Sequence, residues 1–180
     1  MYELLHAPFA LDFEEMSRRQ LAQYESWFFA TKPNRVAALE ELVQGVVPSW
    51  RADGFAESLT LLDSFLDDAI ETRPRSAEEL SRLVKAFRFG VSDRDLTDRS
   101  ISIAVDSGFY FGQVFEQNHS ELSWKQEKRK GNVDYGQLVL CGFPSKVCLN
   151  PVRIAIVNAY AIAKGKSSRL AALYLSWLEG

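Results

Sequence analysis

Four carboxylate residues between positions 63 and 71 have a spacing similar to that of metal-binding sites on helices. Asp63, Asp67 and Glu71 follow one another at four-residue steps, with Asp68 beside them, so a helix would place them along one side. Oxygen ligands at this spacing can hold Mg²⁺, but such a site needs carboxylates from a second helix, and the sequence supplies no matching pair. We therefore predict a solvated acidic face without a metal, and these residues are candidates for binding a basic protein partner.

Asp106 is a carboxylate midway along a mostly apolar segment. Ser102 stands four residues before it and Tyr110 four residues after it, and polar groups at this spacing on a helix can form a buried polar site. Such a site would favour a small hydrolase or transferase. The alternative, which we favour, is that these residues form the solvated edge of the helix.

The other residue types with catalytic potential form no recognised motif. His6 and His119 are the only histidines, and neither has neighbours at metal-ligand spacing. Cys141 and Cys148 match no metal motif, and we predict two reduced thiols. The sequence contains no G-x-S-x-G, phosphate-loop or H-E-x-x-H motif. We therefore assign no catalytic residue, no metal ligand and no cofactor.

Two of the four tryptophans have neighbours that favour a surface position. Trp50 and Trp124 stand beside polar loops, whereas Trp27 and Trp177 have helical neighbours that fit a core. Tryptophan is a frequent anchor of protein interfaces. We therefore predict that Trp50 and Trp124 contribute to a partner-binding surface.

The composition is that of a folded globular protein. Of the 180 residues, 47% are apolar and 25% are charged, and the formal net charge is −3. That charge argues against nucleic-acid binding and is compatible with a basic protein partner. The longest apolar tract, residues 154–163, is far shorter than the roughly 20 residues of a membrane span, and the N-terminal residues do not resemble a secretory signal. We predict a cytoplasmic protein that binds neither nucleic acid nor a membrane.

The elements that would position these side chains are mainly helices. Ser17 and Gln20 have the spacing of a capping box for a first helix. We predict that this helix ends before Pro33, because the residue preceding a proline avoids helical geometry. A second helix would then begin at Pro33 and pack on the first as a hairpin. A third helix, capped by Asp53, would carry Phe55 into the core.

The longest predicted helix covers residues 95–119 and forms the structural centre of the chain. Ala104, Gly108 and Gly112 recur along it at four-residue steps. Because glycine within a helix costs about 1 kcal/mol relative to alanine, this small-residue face indicates that another element approaches closely. We expect that element to be the apolar helix that begins at Pro151.

The sequence pattern changes in the C-terminal half, where two short segments predict an antiparallel hairpin. Residues 122–129 alternate roughly between apolar and charged, and residues 137–141 are apolar on both faces, with a turn between them. The predicted fold class is α+β, mainly α, with about seven helices and this one small β-hairpin. We treat residues 1–180 as a single domain, with a division into residues 1–91 and 92–180 as the alternative.

Two blocks of the sequence resemble a group of bacterial proteins. The blocks are residues 12–43 and 101–129, followed by the shorter segment 149–155. The positions that carry the resemblance look structural, being mainly aromatic and glycine residues: Gly108, Tyr110, Gly112, Trp124, Asn150 and Pro151. The group consists of uncharacterised proteins that accompany polymorphic toxin systems, several of which are treated as immunity proteins. The resemblance implies protein binding, and it supplies no catalytic residue to carry over.

Three classes of function are compatible with the sequence. The leading prediction is a non-enzymatic cytoplasmic protein that binds a partner, specifically an immunity protein that neutralises a cognate toxin with a basic domain. The second is a carboxylate-dependent hydrolase or transferase centred on Asp106, or on Asp63, Asp67 and Glu71. The third is a homo-oligomeric scaffold that self-associates through the glycine face.

Overall fold

A computed structural model describes residues 2–86 and 91–179 of the chain. Within these residues it has six helices and two small two-stranded antiparallel sheets, which confirms the predicted class of α+β, mainly α. In chain order, the elements are α1 Arg18–Gln44, α2 Ser58–Ala69, β1 Thr72–Pro74, α3 Ala77–Ala86, β2 Arg94–Leu96, α4 Asp98–Asn118, β3 Ser123–Gln126, β4 Leu138–Cys141, α5 Pro151–Ala163 and α6 Leu170–Glu179.

The helix α1 replaces the predicted helical hairpin, because it continues through Pro33 without a break. Proline in a helix interior removes one hydrogen bond and crowds the preceding turn, at a cost of roughly 3 kcal/mol. Here Pro33 is exposed, while the side chains on either side of it form one unbroken buried face: Leu21, Tyr24, Phe28, Val36, Leu39 and Val43. The packing of this face outweighs the local cost, and the two predicted helices are one. The capping box of Ser17 and Gln20 is confirmed.

The loop between α1 and α2 corrects two further predictions. Because α2 begins at Ser58 and not near Asp53, Phe55 precedes the helix and is 62% exposed instead of buried. Trp50, which we expected at the surface, is only 1% exposed, and its Nε1 donates a hydrogen bond to the carbonyl of Ser58 at 3.0 Å. With its polar group satisfied, the large ring fills the core. Trp50 is therefore buried and Phe55 exposed, the reverse of the prediction for each.

The helix α4 is the centre of the hydrophobic core, as predicted. Ile103, Phe109, Phe111 and Phe115 on this helix are fully buried. The same core cluster contains side chains of α1, α2, β4 and α6, so it joins residues from both halves of the chain. Any polar group on the buried sides of α4 therefore needs a partner from another element.

The small-residue face of α4 packs closely against α5, which confirms that prediction. A Cβ atom on Gly108 would lie 2.5 Å from the Cα of Val152 and 3.0 Å from the carbonyl oxygen of Pro151. A Cβ atom on Gly112 would lie 2.6 Å from the ring of Trp124. These positions require glycine because backbone or a rigid ring occupies the space of a side chain.

The sequence predicts one of the two sheets and not the other. The strands β3 and β4 form the predicted hairpin, with Trp124 opposite Leu140. The second sheet, in which β1 pairs with β2 and Thr72 lies opposite Leu96, was not predicted. Its strands have three residues each, too few for an alternating pattern to identify them.

Cys141 and Cys148 form a disulfide, so the prediction of two reduced thiols is wrong. The backbones of Leu140 and Leu149 pair at the base of the loop. This pairing brings the Cα atoms of the two cysteines to 4.4 Å, within the range that a disulfide spans. Their spacing in the sequence does not by itself indicate this proximity, because the backbone pairing creates it.

Candidate functional site

The polar residue at the middle of α4 belongs to an ion pair between α4 and α1. Asp106 is 0% exposed, and its two carboxylate oxygens accept hydrogen bonds from the Nε of Arg35 at 2.8 Å and the Nη2 at 2.7 Å. A planar guanidinium matches a carboxylate in this two-pronged geometry. The solvated-edge interpretation of Asp106 is therefore wrong, because the side chain faces α1 and not the solvent.

The N-terminal segment covers the ion pair from the outside. The hydroxyl of Tyr2 donates a hydrogen bond to Asp106 and accepts one from the Nη2 of Arg35 at 3.0 Å. The carbonyl of Glu3 accepts a further hydrogen bond from the Nη1 of Arg35 at 3.0 Å. The guanidinium also lies 5.2 Å from the centre of the Tyr2 ring, within range of a cation–π contact. Each charged group in this cluster thus has several partners within the protein.

Ser102, Asp106 and Tyr110 do not form one site. The hydroxyl of Ser102 accepts a hydrogen bond from the backbone N–H of Leu5, at 3.0 Å. The hydroxyl of Tyr110 lies 2.5 Å from that of Ser58 and accepts a hydrogen bond from the N–H of Gly54 at 3.1 Å. Ser102 and Asp106 therefore hold the N-terminal segment on α4, and Asp106 also holds α1. Tyr110 instead holds the loop before α2 and the first residue of that helix.

Burial dominates the electrostatics of the Asp106 cluster. It raises the pKa of Asp106, because the lost hydration of the carboxylate outweighs the hydrogen bonds from Arg35 and Tyr2. Burial and the neighbouring carboxylate also raise the pKa of Tyr2. Burial alone would lower the pKa of Arg35, but its bonds with Asp106 leave that pKa raised. The balance differs because the guanidinium retains some contact with solvent whereas the carboxylate has none. Arg35 thus remains a cation that requires Asp106.

The acidic row of α2 is partly used within the protein. Asp63 accepts hydrogen bonds from the backbone N–H groups of Leu170 at 2.8 Å and Ala171 at 3.0 Å, which open α6. Asp67 accepts one from the N–H of Ser168 at 2.6 Å. The first N–H groups of a helix have no partner within it, so Asp63 caps α6 from a different element, whereas Asp67 binds a residue two positions before that helix.

Only part of this row remains free for a partner. Asp68 is exposed, and so is Glu71, which follows the end of α2 at Ala69 and does not continue the helical row as predicted; Asp63 is half-buried. The interpretation of the row as a solvated face is therefore wrong for Asp63, whereas Asp67 is exposed and accepts one hydrogen bond from the segment before α6. Within residues 2–86 and 91–179, no group of three or more His, Cys, Asp or Glu side chains is placed to hold a metal ion.

Replacing Asp63 with alanine tests the capping function. The substitution leaves two N–H groups of α6 without their acceptor, so we expect the free energy of unfolding to fall by roughly 1–2 kcal/mol. Asp68→Ala, an exposed change on the same helix, is the matched control and should stay within about 0.5 kcal/mol. Denaturant titration of the two variants measures both values, and equal losses would contradict the capping assignment.

Trp124 holds the hairpin against the helices. Its ring lies 5.2 Å from the ring of Phe28 in edge-to-face geometry, and it fills the space above Gly112. The Nζ of Lys32 lies 5.2 Å from the Trp124 ring centroid and 2.7 Å from a carboxylate oxygen of Glu116. The side chain is half-buried, so only part of it is accessible to the partner that we predicted for it.

Phe55 is a surface aromatic residue that the sequence-based prediction placed in the core. It lines a shallow depression together with Leu61, which is 44% exposed, and the buried Trp50. The dipeptide Asp53-Gly54 directly before it is typical of a turn. That signal would have placed Phe55 in the loop instead of on the buried face of a helix.

Comparison with known proteins identifies no relative: no protein-family model, no curated protein and no solved structure matches the chain. The resemblance to toxin-associated bacterial proteins therefore stays a prediction. In the part of the chain that the structure describes, no helix has both the length and the apolar character needed to cross a membrane.

Proposed function

We propose that this chain is a non-enzymatic protein-binding domain, specifically an immunity protein that neutralises a bacterial toxin with a basic surface. The observation that supports the proposal is that the buried and half-buried carboxylates at the candidate sites bind groups of the protein itself. Asp106, the most deeply placed carboxylate, is occupied by Arg35 and Tyr2, and Asp63 is occupied by α6. Both stabilise the fold, which leaves the exposed carboxylates available for a charged partner.

The position of the resemblance supports the same class of protein. The two resembling blocks, residues 12–43 and 101–129, contain most of α1 and α4. These helices carry Arg35 and Asp106 and form much of the core. A resemblance concentrated in core-building segments fits proteins that share a scaffold while their binding surfaces vary with the partner.

The two alternative functions receive less support. An enzyme centred on Asp106 requires a substrate to reach a carboxylate that Arg35 and Tyr2 already contact. A scaffold that self-associates through Gly108 and Gly112 requires a face that Val152, Pro151 and Trp124 occupy in the folded chain. The contacts of Asp106, Gly108 and Gly112 therefore support these two alternatives less than the binding function.

A cytoplasmic location is part of the proposal. In that compartment the thiol pool generally keeps cysteines reduced, which opposes the disulfide between Cys141 and Cys148. The backbone pairing of Leu140 with Leu149 would still close the loop after reduction. The test is to alkylate free thiols in intact cells before lysis and to measure the mass of the protein by mass spectrometry. Alkylation of both cysteines would support a cytoplasmic location, and a protein without alkylated cysteines would contradict it.

Binding to the cognate toxin is the direct test. We would mix the purified full-length chain with the purified product of the neighbouring toxin gene and measure complex formation by calorimetry. We expect a one-to-one complex and loss of the toxin's activity at equal concentration. A basic protein of the same net charge from an unrelated source is the control. If no complex forms at micromolar concentration, the proposal is wrong.

A further inference from the structure

The loop between α1 and α2 and the first turn of α2 present an apolar patch, formed by Phe55 and Leu61 around the buried Trp50. Phe55 is 62% exposed and Leu61 is 44% exposed, and all three residues line one depression. Aromatic residues, phenylalanine among them, are enriched in the buried centre of protein interfaces relative to the rest of the surface. An exposed phenylalanine beside an exposed leucine is therefore a candidate binding surface.

Hydrogen bonds hold the backbone on both sides of Phe55. The N–H of Gly54 donates to the hydroxyl of Tyr110 at 3.1 Å, and its carbonyl accepts from the Nδ2 of Asn118 at 2.8 Å. The N–H of Phe55 donates to Asp53 at 2.9 Å, and its carbonyl accepts from the hydroxyl of Ser58 at 2.7 Å. Because the loop is fixed to α4 and α2 before any partner arrives, binding does not incur the free-energy cost of ordering it.

Gly54 explains why the loop takes this path. Its φ is +79°, a conformation that side chains disfavour, and a Cβ atom there would lie 1.2 Å from the Oε1 of Gln117. The glycine thus allows the loop to lie directly on α4. As a result, Phe55, the next residue, points away from the core.

The charges around the patch determine the kind of partner it fits. Asp53 and Glu57 flank Phe55 and are exposed, and in the described part of the chain no lysine or arginine lies within ion-pair distance of either. Arg51 also lines the depression, but it lies 3.9 Å from Glu40, which offsets its charge. The uncompensated charge beside the apolar patch is therefore negative.

We infer that the patch of Phe55, Leu61, Asp53 and Glu57 is the surface that docks a basic protein, with Phe55 inserted into an apolar recess of that partner. This inference rests on the proposed function and specifies which surface performs it. A partner rich in lysine and arginine around a recess matches the negative charge around Phe55. Trp50 contributes from below by supporting the patch, which is a different role from the exposed anchor predicted for it.

The test uses the full-length chain, and the product of the neighbouring toxin gene is the probe. Phe55→Ala should weaken binding by roughly 30-fold or more, as expected for an interface centre. Its midpoint of thermal unfolding should be unchanged, because the ring is mostly exposed. Val133→Ala is the matched control: Val133 is 68% exposed and lines a different depression, so affinity should not change.

A second variant tests the charge. Asp53→Asn combined with Glu57→Gln removes two charges, and the asparagine oxygen can still accept the hydrogen bond from Phe55. We expect an association rate roughly tenfold lower at low ionic strength and little changed at high ionic strength. Asp68→Asn combined with Glu71→Gln removes the same charge from the C-terminal end of α2 and the residues after it, and should leave the rate within a factor of two.

The outcomes separate the surface from the function. If the unsubstituted chain binds the toxin and Phe55→Ala binds equally well, the patch is not the interface although the function stands. If the unsubstituted chain does not bind, the function and the surface are both wrong. If light scattering shows a dimer that Phe55→Ala converts to a monomer, a second copy covers the patch, which overturns the basic partner.

Discussion

Replacing Asp106 with alanine is expected to lower the free energy of unfolding by about 3–5 kcal/mol, the usual result of removing one partner of a buried ion pair. The substitution leaves the guanidinium of Arg35 in its buried position without the two carboxylate oxygens that it contacts at 2.8 and 2.7 Å. It also removes the acceptor of the Tyr2 hydroxyl. Guanidinium denaturation of the full-length chain, followed by tryptophan fluorescence, measures the loss.

A partly exposed ion pair between the same two helices is the comparison. Lys32 on α1 and Glu116 on α4 lie 2.7 Å apart, with the Lys32 side chain 13% exposed and the Glu116 side chain 43% exposed. Because solvent reaches Glu116, whereas Asp106 has no contact with it, Glu116→Ala should cost less than Asp106→Ala, about 1 kcal/mol. If Asp106→Ala costs no more than this control, the buried pair does not have the structural role assigned to it.

Removing both buried charges should be less harmful than removing one. Burial raises the pKa of Asp106, which shows that the carboxylate loses more from dehydration than its neighbours return. Replacing a buried pair by apolar residues of similar volume is often close to neutral. We therefore expect Asp106→Leu with Arg35→Met to recover most of the stability that Asp106→Ala loses. If the double variant has the same free energy of unfolding as Asp106→Ala, this expectation is wrong.

Replacing Gly108 with alanine is expected to destabilise the protein by about 1–3 kcal/mol, although alanine favours a helix by about 1 kcal/mol. The added methyl would lie 2.5 Å from the Cα of Val152, so α4 and α5 would have to move apart. Backbone cannot rotate out of the way as a flexible side chain can. Gly108→Val should cost more, because a larger group forces a larger separation. Thermal and denaturant unfolding of both variants measure the series.

The neighbouring residue supplies the control for Gly108. Ser107 is also fully buried on α4, and within the described residues its hydroxyl has no hydrogen-bond partner. Ser107→Ala removes a buried polar atom and adds no volume, so stability should stay the same or rise slightly. If Gly108→Ala instead stabilises the protein by about 1 kcal/mol, as an exposed helical glycine would, the close approach of α5 is wrong.

The buried ion pair could not be derived from the sequence because its partners are distant along the chain. Arg35 lies 71 positions from Asp106, and Tyr2 lies 104 positions away. A polar residue at this spacing on a helix has the same pattern whether it faces solvent or a buried cation. Only the packing of α1 and the N-terminal segment on α4 distinguishes the two cases.

The Pro33 and Phe55 errors have a common physical cause. In each, a local rule competed with a contact made by a distant segment. The rule against proline in a helix is correct as a local energy, but the continuous buried face of α1 outweighs it. The apolar spacing after Asp53 fits a helix, but Gly54 is bound to Tyr110 and Asn118 of α4. The sequence contained a signal for each outcome. The apolar residues before and after Pro33 keep the same 3.6-residue period, and Asp53-Gly54 is typical of a turn.

The sequence by itself determined the features whose energetics are local. These are the capping box at Ser17, the helix start at Pro151, the β3–β4 hairpin, and the small-residue face that requires a close neighbour. Each depends on residues a few positions apart, so spacing alone identifies it.

The tertiary structure decided which side chains are buried and which are free. It placed Asp106 in an ion pair, used Asp63 to cap α6, buried Trp50 and exposed Phe55. The physical reason is that the exposure of a side chain depends on which distant segments cover it, and residue type does not specify that. Phe55 belongs to the candidate binding surface because the loop before it rests on α4.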